Sequence, residues 1–336
     1  MAAMATKQIL VVKLSSMGDL FHALPAVHAL RNGLDAEVDW VTQPEYAPLV
    51  RCFPDIRDVI PFPRRGAVMG LPGYWRAVRR RRYDLVIDLQ GLLKSVLAAR
   101  MAIAGKVIGP SFCREGSRYL YDAVAGPPNR NRHAVDEALD IVRHFGLPMG
   151  EAVFPVQFPP VTPFTSSLRV GIIPASRWPN KNWPVEYYAE ISHLLMHQEG
   201  VTIHLFGSEQ ERGACVAIQH AVEAGHACSR VVNLAGRTGM AELGGWLKAM
   251  DLVIANDSGP AHMAAAAGTP VLALFGPTDP VRTAPYGPRN RVVQADLACR
   301  PCLGRQCRRE IPDCMRTIRP ETVYQVAREM LGGGRQ

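Results

Sequence analysis

Asp19 follows the apolar run QILVVK in KLSSMGDLFHALPA, with Ser15, Ser16 and Gly18 between strand and helix. A carboxylate at the carboxyl end of a buried strand can take a proton from a hydroxyl. Asp also favours helix starts, so a capping role is the alternative. A second polar set follows the run LVIA in NDSGPAHMAAAAGTP, which supplies Asp257, Ser258, Gly259 and His262. Lys181 and Arg177 stand in ASRWPNKNWP, ahead of a helix, where cations and free backbone donors favour phosphate. Glu211 comes just after VTIHLFG, and a carboxylate there can accept from the paired hydroxyls of a sugar; plain solvation is its alternative. Together these types suit transfer of a group from a phosphorylated donor to a hydroxyl.

Other residues border these sets. WRAVRRRR carries Arg79 and Arg80, either a solvated helix end or a patch that draws in an acidic acceptor, and Lys94 follows LVIDLQG. His133 and Asp136 share a helical spacing and read either as acceptor contacts or, with no paired partner evident, as structural or solvent-facing residues. Cys299, Cys302, Cys307 and Cys314 form C-x2-C-x4-C-x6-C. That spacing admits a structural zinc or iron, reduced unliganded thiols, or redox chemistry, and a disulfide scaffold does not suit a cytosolic chain of this length.

Positioning these groups takes repeated strand and helix units. Continuous apolar strands alternate with helical spacing through both halves, which predicts an α/β fold of parallel βαβ units with ligands beyond the strands' carboxyl ends. At 336 residues two domains are expected. The proline-rich PVQFPPVTPFTSS from Pro155 to Ser167 reads as their connection, giving domains over 1–160 and 168–336. A final helix is expected in PETVYQVAREML, with the option that it packs back on the first domain.

Hydrophobic residues make up 48% and charged residues 20%, which excludes disorder as the main state. No apolar run reaches the ~20 residues of a membrane span and the start lacks a signal-peptide pattern, so a cytoplasmic protein is expected. The net charge of +8 favours an anionic partner or an anionic membrane surface. No recognition motif supports nucleic acid. Walker, GxGxxG dinucleotide, GxSxG and zinc-hydrolase patterns are all missing.

KLSSMGDLFHALPA, LVIDLQG, ASRWPNKNWP, LFGSEQE, NLAGRT and NDSGPAHMAAAAGTPVLALFGPTDP, in this order, resemble the ADP-heptose:lipopolysaccharide heptosyltransferases, glycosyltransferase family 9. The resemblance implies a GT-B fold, two Rossmann-like domains facing a central cleft, with the acceptor mainly on the first and ADP-heptose mainly on the second. It implies inverting transfer with Asp19 as general base and Lys181 on the donor phosphates. Glu211 would meet the ribose and Asp257 the heptose, with Ser258, Gly259 and His262 beside them. Arg79, Arg80 and Lys94 would face the anionic, lipid-linked acceptor, at the cytoplasmic face of the inner membrane, and no catalytic metal would be needed. SSMGD resembles the first heptosyltransferase and the cysteine segment the second, which leaves Kdo-lipid A and a heptosylated core open as acceptors. Another nucleotide-sugar transferase, an epimerase or a non-enzymatic sugar-nucleotide binder would share much of this pattern.

Overall fold

Strand segments that are apolar at successive positions have to be covered on both faces, and this requirement builds the whole chain. The structure is a computed structural model that describes residues 6–63, 69–129, 131–162, 168–225, 230–308 and 313–333. Its chain divides into two units, Met1–Gln157 and Phe158–Gln336.

The first unit runs β1 (Lys7–Val12), α1 (Met17–Gly33), β2 (Ala36–Thr42), α2 (Ala47–Val50), β3 (Ile56–Pro61) and α3 (Leu71–Val78). It continues through β4 (Arg82–Asp88), α4 (Leu93–Arg100), β5 (Ile103–Pro110), β6 (Ala123–Ala125), α5 (Ala134–Ala138) and α6 (Asp140–His144). All its strands are parallel, in the order β3-β2-β1-β4-β5-β6. Ile9, Leu10, Val11 and Val12 of the central β1 are wholly buried, as a strand covered by helices on both faces requires.

The second unit runs β7 (Arg169–Ile173), α7 (Val185–Glu199), β8 (Thr202–Leu205), α8 (Arg212–Gly225), β9 (Val231–Asn233) and α9 (Met240–Lys248). Then come β10 (Leu252–Asn256), α10 (Gly259–Ala266), β11 (Val271–Phe275), α11 (Pro280–Thr283), β12 (Arg291–Gln294), α12 (Asp313–Arg316) and α13 (Pro320–Gly332). Its parallel sheet has the order β12-β11-β10-β7-β8-β9. Counted from its own first strand, this is the first unit's order again, the doubly wound Rossmann arrangement. The order reverses between β1 and β4 in one unit and between β7 and β10 in the other. At such switch points the loops diverge beyond the strands' carboxyl ends and leave room for a ligand.

Two expectations differ from the structure. The outermost strands β6 and β12 were not foreseen, being short and only partly buried. The helical segment expected around His133 and Asp136 forms two short helices, α5 and α6, which meet at Leu139. The last helix, α13, spends its apolar face inside the second unit, where Val323, Ala327 and Leu331 join the core around Trp183, Tyr188 and Ile191. The start of that unit is pinned by two glycines of α9. A Cβ at Gly244 would strike the Phe158 ring, and one at Gly245 the carbonyl oxygen of Pro159.

Candidate functional site

In the first unit the loop after β1 carries Asp19 into the first turn of α1. Ser16 is the residue at the N-cap, and Asp19, three positions on, reaches back: its Oδ2 accepts from the Ser16 backbone N–H and from Ser16 Oγ, both at 2.8 Å. Asp19 itself is therefore not the N-cap, although it takes part in capping. Its Oδ1 lies 3.9 Å from His22 Nδ1, and the carboxylate stays 43% exposed. One oxygen is thus fixed by the helix start, which orients the other toward His22 and solvent. A carboxylate held this way has the geometry of a base.

Sequence spacing missed the groups that shape this loop. Gln90 Oε1 accepts from the backbone N–H of Leu14 at 3.0 Å and of Ser15 at 3.1 Å. Gln90 is set in turn by the fully buried Asp88, whose Oδ1 accepts from the Gln90 and Gly91 backbones and whose Oδ2 accepts from Ser95 Oγ and the Tyr121 hydroxyl. Burial pushes the Asp88 carboxyl up, and those four donors pull against it. Lys13, buried at the end of β1, donates from Nζ to the Leu89 carbonyl at 2.6 Å. Burial lowers its pKa, opposed by Asp19, Asp88 and Glu137. A buried cation beside Asp19 was legible as the first letter of KLSSMGD but carried no spacing signal. His133 accepts the Val135 N–H as the N-cap of α5, and its ring lies edge-on to His22, 5.5 Å between centroids.

Lys94 enters α4 beyond the carboxyl end of β4, with Nζ 5.9 Å from the centre of the Phe62 ring. Arg79 and Arg80 are not brought to Asp19. They follow α3 and precede β4, which places them at the amino edge of a parallel sheet whose opposite edge carries Asp19 and Asp88. Arg79 instead packs over the exposed Trp75 ring at 4.9 Å.

In the second unit the predicted residues converge. Asp257, 8% exposed at the end of β10, accepts at Oδ2 from Lys181 Nζ at 2.6 Å and from Thr278 Oγ1 at 2.8 Å. Lys181 Nζ also stands 4.4 Å from the centre of the Trp178 ring. Ser258 is the N-cap of α10, and its buried Oγ has no hydrogen-bond partner. Gly259 opens that helix and His262 is buried in it. An unsatisfied hydroxyl beside free helix-start N–H groups is a ready anion contact. Glu211, after β8, accepts at Oε2 from the Ser208 backbone N–H at 2.7 Å, so one of its oxygens caps a helix start as Asp19 does.

The loop that carries Lys181 is shaped by two asparagines. Asn182 Oδ1 accepts from the N–H and hydroxyl of Ser176. Asn256, wholly buried, accepts from Trp183 N and the Tyr188 hydroxyl and donates to the Pro174 carbonyl, tying β7, the Lys181 loop and α7 to β10.

Among the described residues no group of three or more His, Cys, Asp or Glu is arranged to hold a metal ion. Cys299 and Cys302 are exposed, Cys307 half-buried and Cys314 buried, and burial pushes the Cys314 thiol up. Among the described residues no helix is long and apolar enough to cross a membrane.

Comparisons with known proteins agree with this geometry. Lipopolysaccharide heptosyltransferase 1 of Pseudomonas aeruginosa is 30% identical, the match covering 96% of this chain and 98% of that one. Lipopolysaccharide core heptosyltransferase OpsX of Haemophilus influenzae is 26% identical over 86% of this chain and 84% of its own. Among solved structures, Escherichia coli heptosyltransferase WaaC with ADP superposes with a TM-score of 0.79 at 21% identity, covering 96% of this chain and 99% of that one, so the GT-B α/β fold is shared. The model of glycosyltransferase family 9 (heptosyltransferase) matches residues 73–311. With two Rossmann-like sheets, polar sets at both switch points and these matches, the chain is a glycosyltransferase and belongs to glycosyltransferase family 9, the heptosyltransferases.

Proposed function

We propose that the protein transfers heptose from ADP-heptose to a hydroxyl of the lipopolysaccharide inner core, with inversion at the anomeric carbon. The observation that carries the donor half is the cluster of Lys181, Asp257, Thr278 and Ser258 at the β7–β10 switch point. ADP would lie with its diphosphate toward Lys181, the Ser258 hydroxyl and the start of α10, where cation and helix dipole add. Lys181 would pass from Asp257 toward the phosphates, leaving Asp257 to accept from heptose hydroxyls, and Glu211 would accept from the ribose. Gly259 and His262 would wall this site.

The acceptor half rests on Asp19. Its outward oxygen takes the acceptor proton as the hydroxyl oxygen bonds to the anomeric carbon. The bond from that carbon to the phosphate oxygen breaks, and ADP leaves with the electron pair. Lys94, just beyond the carboxyl end of β4, would face an acidic acceptor, while the buried Lys13 would hold the loop end through the Leu89 carbonyl. In this reading the chain's own cations meet the departing charge, and a metal on the cysteine segment would be structural.

The enzyme would work at the cytoplasmic face of the inner membrane. Exposed Met69 and Trp75 beside Arg76, Arg79 and Arg80 supply an apolar and basic face for peripheral contact, which is the role we give Arg79 and Arg80. Product mass analysis with ADP-heptose, first with Kdo-lipid A and then with a heptosylated core, tests the proposal. One acceptor should gain a single heptose with one ADP released. ADP release without glycosidic product would reject transfer in favour of hydrolysis.

A further inference from the structure

The cysteine segment after β12 is joined to two of the loops that bear the Asp257 cluster, the Lys181 loop and the loop after β11. Asn180 Nδ2 donates to the Gly304 carbonyl at 2.8 Å, one residue before Lys181. The Leu303 N–H donates to the Pro277 carbonyl at 2.9 Å. The guanidinium of Arg300 donates to the carbonyls of Gly276, Ala295 and Thr278, and the Thr278 hydroxyl is the one bonded to Asp257. Four residues separate Arg300 from Arg305, which lies 5.6 Å from the centre of the Trp178 ring, the same indole that Lys181 approaches at 4.4 Å. Lys181 is matched by Asp257, whereas Arg305 is exposed and has no carboxylate partner among the described residues.

Two cations on one indole would repel each other in a free protein, and the hydrogen bonds of the segment hold the second one there. An indole face lowers the cost of placing a guanidinium, and the planar fork of Arg suits a phosphate. A second observation points the same way, since the buried Ser258 hydroxyl in the same cluster lacks any partner. We propose that the segment from Arg300 to Arg305 is a wall of the nucleotide site and that Arg305 is a second phosphate-facing cation, beside Lys181. This rests on the assignment of the second unit as the ADP-heptose site. It gives the segment a task that needs no metal: it carries Arg305 to Trp178.

Calorimetric titration of the full-length protein with ADP and with adenosine tests it. Arg305→Ala should weaken ADP about tenfold, the loss of one exposed charge-assisted phosphate contact, and leave adenosine affinity unchanged. Arg305→Lys should recover most of the difference, and the salt dependence of ADP affinity should be shallower in Arg305→Ala. ADP affinity equal to wild type in Arg305→Ala, or equal losses for ADP and adenosine, would overturn the role of Arg305 while the donor assignment stands. A wild-type protein that binds no ADP would overturn the donor assignment itself.

Discussion

Asn256→Leu is the substitution whose cost the structure defines most closely. The two side chains have similar shape, but Leu removes an acceptor for Trp183 N at 3.2 Å and for the Tyr188 hydroxyl at 3.0 Å, and a donor to the Pro174 carbonyl at 2.8 Å. Asn256 and Tyr188 are both wholly buried, so no water is at hand to replace what is lost. Each buried polar group left unpaired costs about 1–3 kcal/mol, and with some mutual relief the three together should cost roughly 3–5 kcal/mol. In a domain of this size a kilocalorie moves the midpoint by about 2–4 °C, so the second unit should melt some 10 °C lower. Differential scanning calorimetry, following the transition that ADP raises, is the assay. Because Trp183 N anchors the loop bearing Lys181, ADP should also bind more weakly at temperatures where the variant is folded. A midpoint within about 2 °C of wild type, with unchanged ADP affinity, would refute the view that Asn256 joins the loops of the donor site.

Three further outcomes are expected. Gln90→Leu should lower kcat about tenfold or more through the loop of Asp19 while ADP affinity holds, and Gln90→Glu, which keeps the acceptor oxygen, should recover most of it; parallel losses in kcat and ADP affinity would speak for general damage. His204 is wholly buried against Phe206 and Trp246, and burial lowers its pKa below the ordinary value. The unfolded chain therefore takes up a proton first, and stability should fall as pH drops below about 6.5, by up to ~1.4 kcal/mol per unit until the folded pKa is reached. Urea unfolding of His204→Phe across that range should show a shallower pH slope than wild type, and identical slopes would count against it. Protein prepared without affinity metal should carry less than about 0.2 equivalents of zinc or iron by elemental analysis, against one for a tetrahedral four-thiolate site; a full equivalent lost in Cys302→Ser would show a structural metal.

Much of the fold was legible because buried parallel strands are uninterrupted apolar runs. QILVVK, LVIA and VLALF announce β1, β10 and β11, and all three lie in sheet interiors. β6 and β12 lie at sheet edges, where half-covered strands lose that signature. Asp257 and Lys181 could be read from their loops, but their pairing across 76 residues belongs to strand order. Asp19 and Glu211 each posed a choice between capping and chemistry, and the fold gives one oxygen of each to a helix start and leaves the second outside that bond. The position of the basic run follows from topology: a helix following β3 returns the chain to the amino edge, so Arg79 and Arg80 emerge opposite Asp19. Arg305 and Trp178 lie 127 positions apart by their residue numbers, and no periodicity could have joined them.

In the proposed reaction Asp19 activates an acceptor hydroxyl for attack on ADP-heptose. Asp19→Asn keeps an oxygen that can accept from Ser16 but cannot take a proton at working pH, so it separates helix capping from catalysis. Glycosidic product should be measured by mass spectrometry alongside ADP binding, with wild type and variant at equal folded concentration. Product formation should fall about a hundredfold or more with ADP affinity unchanged. Product formed by Asp19→Asn at the wild-type rate would contradict that role.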